Sequence, residues 1–135
     1  MRVFETASAD ETIAAGEEIG RSLPRRALVL LIGNLGAGKT TLAKGIVKGL
    51  GAAAPEEVSS PTFTLIHEYG ERVFHVDLYR LEDERDVLTL GLDELMDRDA
   101  VMLVEWGERF PALWPAGRIE VRLEAIDDTR RIEVS

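Results

Sequence analysis

The sequence predicts an α/β three-layer sandwich, a central mixed parallel/antiparallel sheet flanked by helices. Three observations carry this. First, a continuous apolar run, Ala27 to Ile32, leads into Gly33-Asn34-Leu35-Gly36-Ala37-Gly38-Lys39-Thr40 and then into a helix-like run ending at Leu50. The segment fits G-x-x-x-x-G-K-[ST] between strand and helix, so the architecture is P-loop NTPase-like. Second, Val101 to Val104 is another fully apolar run, as expected of a strand covered on both faces. Third, residues 62–77 and 119–134 read as hairpins. They bring antiparallel pairs into the sheet and argue against a plain doubly wound order.

The elements follow in chain order. Val3 to Glu5 reads as a short strand. Ser8-Ala9-Asp10-Glu11 is a capping box, so a helix starts there and runs to about Leu23, with Pro24 beyond its end. The helix after the P-loop ends at Gly51. Ala52 to Pro61 is turn-rich and polar. Thr62 to Tyr69 and Arg72 to Asp77 are two strands joined tightly at Gly70. Glu82 to Met96 is helical and broken near Gly91. In the last part Ile119, Val121 and Leu123 alternate with polar residues, then Ile132 and Val134 do, with the turn at Asp127-Asp128.

At 135 residues the chain is expected to form one domain, 1–135, with one core. The formal charge of −9 repels phosphate backbones, so direct nucleic-acid binding by the chain alone is not expected. No apolar run approaches the ~20 residues that span a membrane. Met1 to Glu5 lacks the apolar stretch of a secretion signal. With no cysteine, disulfides and thiolate metal sites are excluded. A cytoplasmic location is the simplest expectation.

The chemistry centres on the P-loop. Its glycines let backbone N–H groups turn inward around phosphate oxygens, and the helix that follows favours the same anion. Lys39 is expected to reach the terminal phosphates and Thr40 to ligate Mg²⁺. A glycine-rich turn that binds nothing is the competing reading, and Lys39 and Thr40 in register argue against it. Phosphoryl transfer also needs acids near the cradle. Asp77 closes Val73-Phe74-His75-Val76, and Glu105 closes Val101-Met102-Leu103-Val104. Strand ends are where open α/β sheets bind ligands. One of these acids is expected to hold metal and the other to orient water, in an order the sequence does not assign. Ser60 and Thr62 lie in a polar loop that either senses the phosphate, as switch loops do, or simply leads into a strand. His75 shares a strand face with Asp77 and reads as a hydrogen-bonded structural histidine. Trp106 either covers the site or a partner surface, or packs in the core. Trp114, between Pro111 and Pro115, reads as a surface-capping aromatic.

The combination is more specific than the P-loop. Gly33 to Thr41, then Ser60-Pro61-Thr62-Phe63-Thr64-Leu65, then His75-Val76-Asp77-Leu78-Tyr79-Arg80-Leu81, then Leu103-Val104-Glu105-Trp106 occur in order at compact spacing. This resembles the TsaE (YjeE) family, the small bacterial ATPase of tRNA threonylcarbamoyladenosine biosynthesis. The resemblance covers almost the whole chain. It implies that Gly33, Asn34, Leu35, Gly36, Ala37, Gly38, Lys39, Thr40 and Thr41 surround the nucleotide phosphates. It implies Asp77 and Glu105 as essential acids near Mg²⁺ and water, Thr62 in the switch-like loop, and Trp106 beside Glu105. It places the adenine base between the N-terminal segment and the C-terminal hairpin, which makes Arg130 a base contact. Relatives often carry an acid where this chain has Asn34, so Glu105 becomes the stronger candidate for the base.

The resemblance further implies ATP and Mg²⁺ as cofactors and the proteins TsaD and TsaB as partners. ATP hydrolysis, weak in the chain alone, would reset the TsaB–TsaD transferase complex during formation of threonylcarbamoyladenosine beside the anticodon, with tRNA held only through that complex. No N-K-x-D guanine-reading segment is present, which favours ATP over GTP. Two other readings compete: a nucleotide-gated binding module that hydrolyses nothing, and a small-molecule kinase. The second is disfavoured by the short chain and the lack of an arginine-rich lid.

Overall fold

A computed structural model describes residues 2–135. Seven strands form one sheet: β1 (Arg2–Thr6), β2 (Ala27–Ile32), β3 (Ile66–Tyr69), β4 (Val73–Asp77), β5 (Val101–Glu105), β6 (Ile119–Ile126) and β7 (Thr129–Val134). Their order across the sheet is β1-β7-β6-β2-β5-β4-β3. β6, β2, β5 and β4 run parallel in the middle. The hairpin partners β3 and β7 add antiparallel pairs, and β1 joins antiparallel to β7. Continuous apolar runs occupy the centre of the sheet because both of its faces are covered there.

Alternation along each central strand divides the core in two. Val101 and Leu103 of β5 face a cluster shared with α1 (Ala9–Ser22) and α2 (Lys39–Gly49). Met102 and Val104 face the other cluster, beneath α3 (Glu84–Leu88), α4 (Leu92–Met96), Phe110 and Trp114. These are the three layers.

α1 is capped as its sequence requires. The Glu11 N–H donates to Ser8 Oγ at 3.1 Å, and the Glu11 carboxylate reaches back to the Ala7 N–H at 3.0 Å. α2 ends in a left-handed turn at Gly51, with φ 73°, where the Gly51 and Ala52 N–H groups close on the Lys48 and Val47 carbonyls at 2.9 and 3.2 Å. The two helices touch backbone to backbone. A Cβ on Gly16 would come 2.5 Å from the Leu42 carbonyl oxygen, and one on Gly45 would run into the Ile13 carbonyl. This close approach fixes α2, and with it the P-loop, against the sheet.

The structure trims three sequence expectations. The strand expected from Thr62 begins at Ile66, because Thr62 to Thr64 form a turn and Leu65 sits at φ 71°. The helix expected over 82–96 is two single-turn helices, parted at Gly91 with φ 74°. Trp114 is not a surface cap. It is buried, and its indole N–H donates to the Gly107 carbonyl at 2.7 Å. The 3-10 turns at Gly107–Arg109 and Pro111–Leu113 swing it inward, a tertiary effect that local prolines do not reveal.

Candidate functional site

Strand register assembles the site. Asp77 of β4 lies abreast of Glu105 of β5, and Glu105 abreast of Leu31 of β2. Two residues past Leu31 the P-loop begins. Both acids and the loop therefore share the C-terminal edge of the parallel strands, where ligands bind in such sheets. Gly36 and Gly38 sit at φ 82° and 103°, a region open to glycine without steric cost. Gly38 is the N-cap of α2, and no side chain caps it. The first N–H groups of α2 thus remain free for an anion.

Lys39 is buried, and its Nζ donates to the Gly33 carbonyl at 2.8 Å. The ammonium also lies 3.4 Å from the centre of the Trp106 ring, a cation–π contact. Burial pushes the Lys39 ammonium below its ordinary range, and the nearby Glu105, Glu108 and Asp77 carboxylates pull the other way. Trp106 adopts φ 66°, which costs a non-glycine residue roughly 1–3 kcal/mol. Its ring packs 5.2 Å from Tyr79, and the Arg109 guanidinium covers both rings at 4.8 and 5.1 Å. Arg109 also donates to the Tyr79 carbonyl at 2.7 Å.

The two acids are held differently. Asp77 Oδ2 accepts from Thr62 Oγ1 at 2.8 Å and Ser60 Oγ at 3.4 Å, while Oδ1 accepts from the Tyr79 N–H at 2.9 Å. Glu105 Oε2 meets His75 Nε2 at 2.5 Å and accepts from Thr40 Oγ1 at 3.3 Å. A cleft of about 400 Å³ opens onto Lys39, Thr40, Thr62, Asp77, Glu105 and Trp106. A second cavity of about 280 Å³ continues past Gly36, Gly38 and Thr41 to Thr6, Asp128 and Arg130.

A search of known proteins bears on this geometry. Residues 6–132 match the model of the family described as "Threonylcarbamoyl adenosine biosynthesis protein TsaE". The chain belongs to the TsaE family. Relatives named tRNA threonylcarbamoyladenosine biosynthesis protein TsaE include one from Haemophilus influenzae, 40% identical over 79% of this chain and 68% of that protein. The Treponema pallidum relative is 38% identical over 92% of each. The one from Bacillus subtilis is 39% identical over 96% of this chain and 82% of its own. The crystal structure of Bacillus subtilis YdiB superposes with a TM-score of 0.76, at 32% identity, over 97% of this chain and 82% of YdiB. The mixed-sheet α/β architecture expected from the sequence is the one found.

Within this TsaE-family chain, the structure gathers nearly every residue that the sequence singled out. Gly36, Gly38, Lys39, Thr40, Thr41, Ser60, Thr62, Asp77, Glu105 and Trp106 line one cleft. Gly33 and Ala37 shape the loop from within, through the Lys39 contact and a buried Ala37 methyl. Leu35 is exposed and also lines this cleft, whereas the exposed Asn34 lines a separate cavity with Arg122 and Glu124. Arg130 stands apart from the acids, in the second cavity between the N-terminal segment and the β6–β7 hairpin. Arg109, three positions after Trp106, and Lys44 are not among the residues that the sequence singles out. The Lys44 ammonium, on α2, donates to the Pro55 and Val58 carbonyls and ties down the segment that leads to Ser60. Neither contact has a signal in spacing alone.

Among the described residues no helix is long and apolar enough to cross a membrane. No group of three or more His, Cys, Asp or Glu side chains there is placed to hold a metal ion by itself either. The cleft presents the Thr40 hydroxyl and the Asp77 and Glu105 carboxylates, all hard oxygen ligands. That set suits Mg²⁺, which takes one or two carboxylates and completes its shell with water and substrate phosphates.

Proposed function

We propose that this chain, one domain over 1–135, is a Mg²⁺-dependent ATPase that serves threonylcarbamoyladenosine formation in tRNA, in the cytoplasm. Membership of the TsaE family supports the pathway. The observation that carries the activity is the convergence of Lys39, Thr40, Asp77 and Glu105 on one cleft at the head of α2.

In this reading the backbone N–H groups from Gly33 to Thr41, including those of Asn34, Leu35 and Ala37, enclose the phosphates. Lys39 leaves its contact with the Gly33 carbonyl and Trp106 to pair with the terminal phosphates. Thr40, Asp77 and Glu105 would hold Mg²⁺, directly or through water, and the ion would supply charge neutralisation at the terminal phosphates. Asp77, with both oxygens engaged, also anchors Ser60 and Thr62 as the switch loop. Glu105 orients the attacking water and takes its proton. The water oxygen bonds to the γ-phosphorus, the bond to the β–γ bridging oxygen breaks, and ADP departs with the electron pair. Arg130 contacts the base in the second cavity. The absence of an N-K-x-D segment supports ATP as the nucleotide.

The partners in this reading are TsaD and TsaB, with hydrolysis resetting their complex between turnovers. A net charge of −9 fits a chain that leaves tRNA to those partners. The test is ATP hydrolysis by the purified chain with Mg²⁺, alone and with TsaB, TsaD and tRNA, with Glu105→Ala as control. Turnover should rise with the partners and collapse in the variant. Turnover indifferent to the partners would remove the coupled reading and send the search to a phosphoryl acceptor.

A further inference from the structure

Glu105 is held from behind by a group with no assigned role. His75 has no exposed surface, and its Nε2 lies 2.5 Å from Glu105 Oε2. Its other ring nitrogen, Nδ1, is buried without a partner. A neutral imidazole carries one N–H and one bare acceptor. A proton on Nδ1 would bury an unpaired donor and set a lone pair against the carboxylate. A proton on Nε2 satisfies the short contact and leaves only an acceptor bare, the smaller penalty. The Nε2–H therefore donates to Oε2.

Thr40 Oγ1 donates to the same oxygen at 3.3 Å. Both donors thus fall on Oε2. Oε1 has no hydrogen bond from the described residues, and Glu105 lines the cleft. The carboxylate is fixed at one oxygen and open at the other. We infer that His75 is a positioning residue: its Nε2–H pins Glu105 Oε2 so that Oε1 is presented to the attacking water. The backbone makes this possible. His75 is two residues before Asp77 on β4, on the same face, and β5 brings Glu105 alongside. This inference rests on the hydrolysis proposed above.

Three variants test it: His75→Leu, His75→Gln and His75→Leu combined with Glu105→Gln. Leucine fills the site without a donor, and the glutamine amide supplies one near the place of Nε2. His75→Leu should bind ATP within about twofold of the parent chain and lose kcat by about 10–100-fold, as losses of such supporting contacts do. His75→Gln should recover much of that kcat. Added to Glu105→Gln, His75→Leu should cost nothing more, because the histidine acts only through that carboxylate. If the parent chain hydrolyses ATP and His75→Leu matches its kcat, the positioning role is overturned. It is equally overturned if His75→Leu lowers Glu105→Gln by the same factor as it lowers the parent. If the parent chain hydrolyses nothing with its partners present, the ATPase reading fails instead. A readout on the unaltered chain covers the case of a misfolded variant. Nitrogen-15 NMR of labelled histidine should find a proton on His75 Nε2, and a proton on Nδ1 alone would contradict the inference.

Discussion

The two ends of the central sheet contrast in size and in chemistry. At the C-terminal ends of the parallel strands the cleft is about 400 Å³ and converges on Lys39, Thr40, Asp77 and Glu105. At the opposite ends lies a larger cavity, about 700 Å³, bounded by Arg26, Leu28, Met102, Leu113, Trp114 and Arg118. Its two arginines are already engaged. Arg26 Nε donates to the Met96 carbonyl at 2.9 Å and its Nη2 lies 3.6 Å from Asp97, while Arg118 pairs with Glu120 at 3.0 Å. The smaller cleft has a lysine driven toward its neutral form, two carboxylates and an uncapped helix start. Strand direction, not volume, singles out the candidate site. Parallel strands deliver their C-terminal residues to one edge, and the loops there are free to carry function.

The largest separation of the two ends comes from Lys39→Ala. Loss of the ammonium proposed to pair with the terminal phosphates should lower kcat/KM for ATP by about 10²–10³-fold. Steady-state phosphate release measures it, and a loss below tenfold would blur the contrast. At the other end, Met102→Ala opens space in the second core cluster and should destabilise the fold by about 2–5 kcal/mol. Its kcat at a temperature where the variant is folded should match the parent. Urea unfolding and turnover on one preparation decide both halves, and a fall in kcat without a fall in stability would tie the large cavity to the chemistry.

Much of the site is legible in the sequence because its parts are local. The P-loop is one contiguous segment whose glycines, lysine and threonine fit a single pattern. Asp77 and Glu105 are each the first acid after an apolar run, so strand-end placement follows from the run itself. What stays hidden depends on register and on helix approach. That His75 meets Glu105 requires β4 and β5 to be neighbours with Asp77 opposite Glu105, and no spacing along the chain encodes that. The inward turn of Trp114 depends on Gly107, whose carbonyl receives the indole N–H. Gly16 and Gly45 lower helix propensity when read alone, and only the packed pair shows why both helices need them.

That packing supplies the third prediction. Gly45→Ala would force α1 and α2 apart and should cost about 1–3 kcal/mol of stability, as overpacking does. Because α2 carries Lys39 and Thr40, ATP affinity should weaken in the same variant, unlike Met102→Ala. Thermal melting with calorimetric ATP titration checks this, and unchanged affinity would detach the helix pair from the cleft.

The smallest effect is on pH. Phosphate pairing needs charged Lys39, whereas burial in the free chain favours the neutral amine. ATP affinity should be full at lower pH and fall as pH rises through the lowered Lys39 value, before the ordinary 10.5 is reached. Over the same interval the unfolded chain binds the extra proton, so the stability of the free chain should rise with pH. Binding there should take up protons, which titration calorimetry in buffers of different ionisation enthalpy detects. Proton release on binding would reverse the sign of the argument.

In the proposed reading the cleft at the strand ends hydrolyses ATP, with Glu105 as the group that handles water. Single-turnover phosphate release from ATP with Mg²⁺, on the parent chain and on Glu105→Gln, with affinity measured on the same samples, tests it most directly. The account predicts affinities within a few-fold of each other and release slowed by about 10²–10⁴-fold in the variant. Equal release from both proteins, or binding lost along with release, would contradict it.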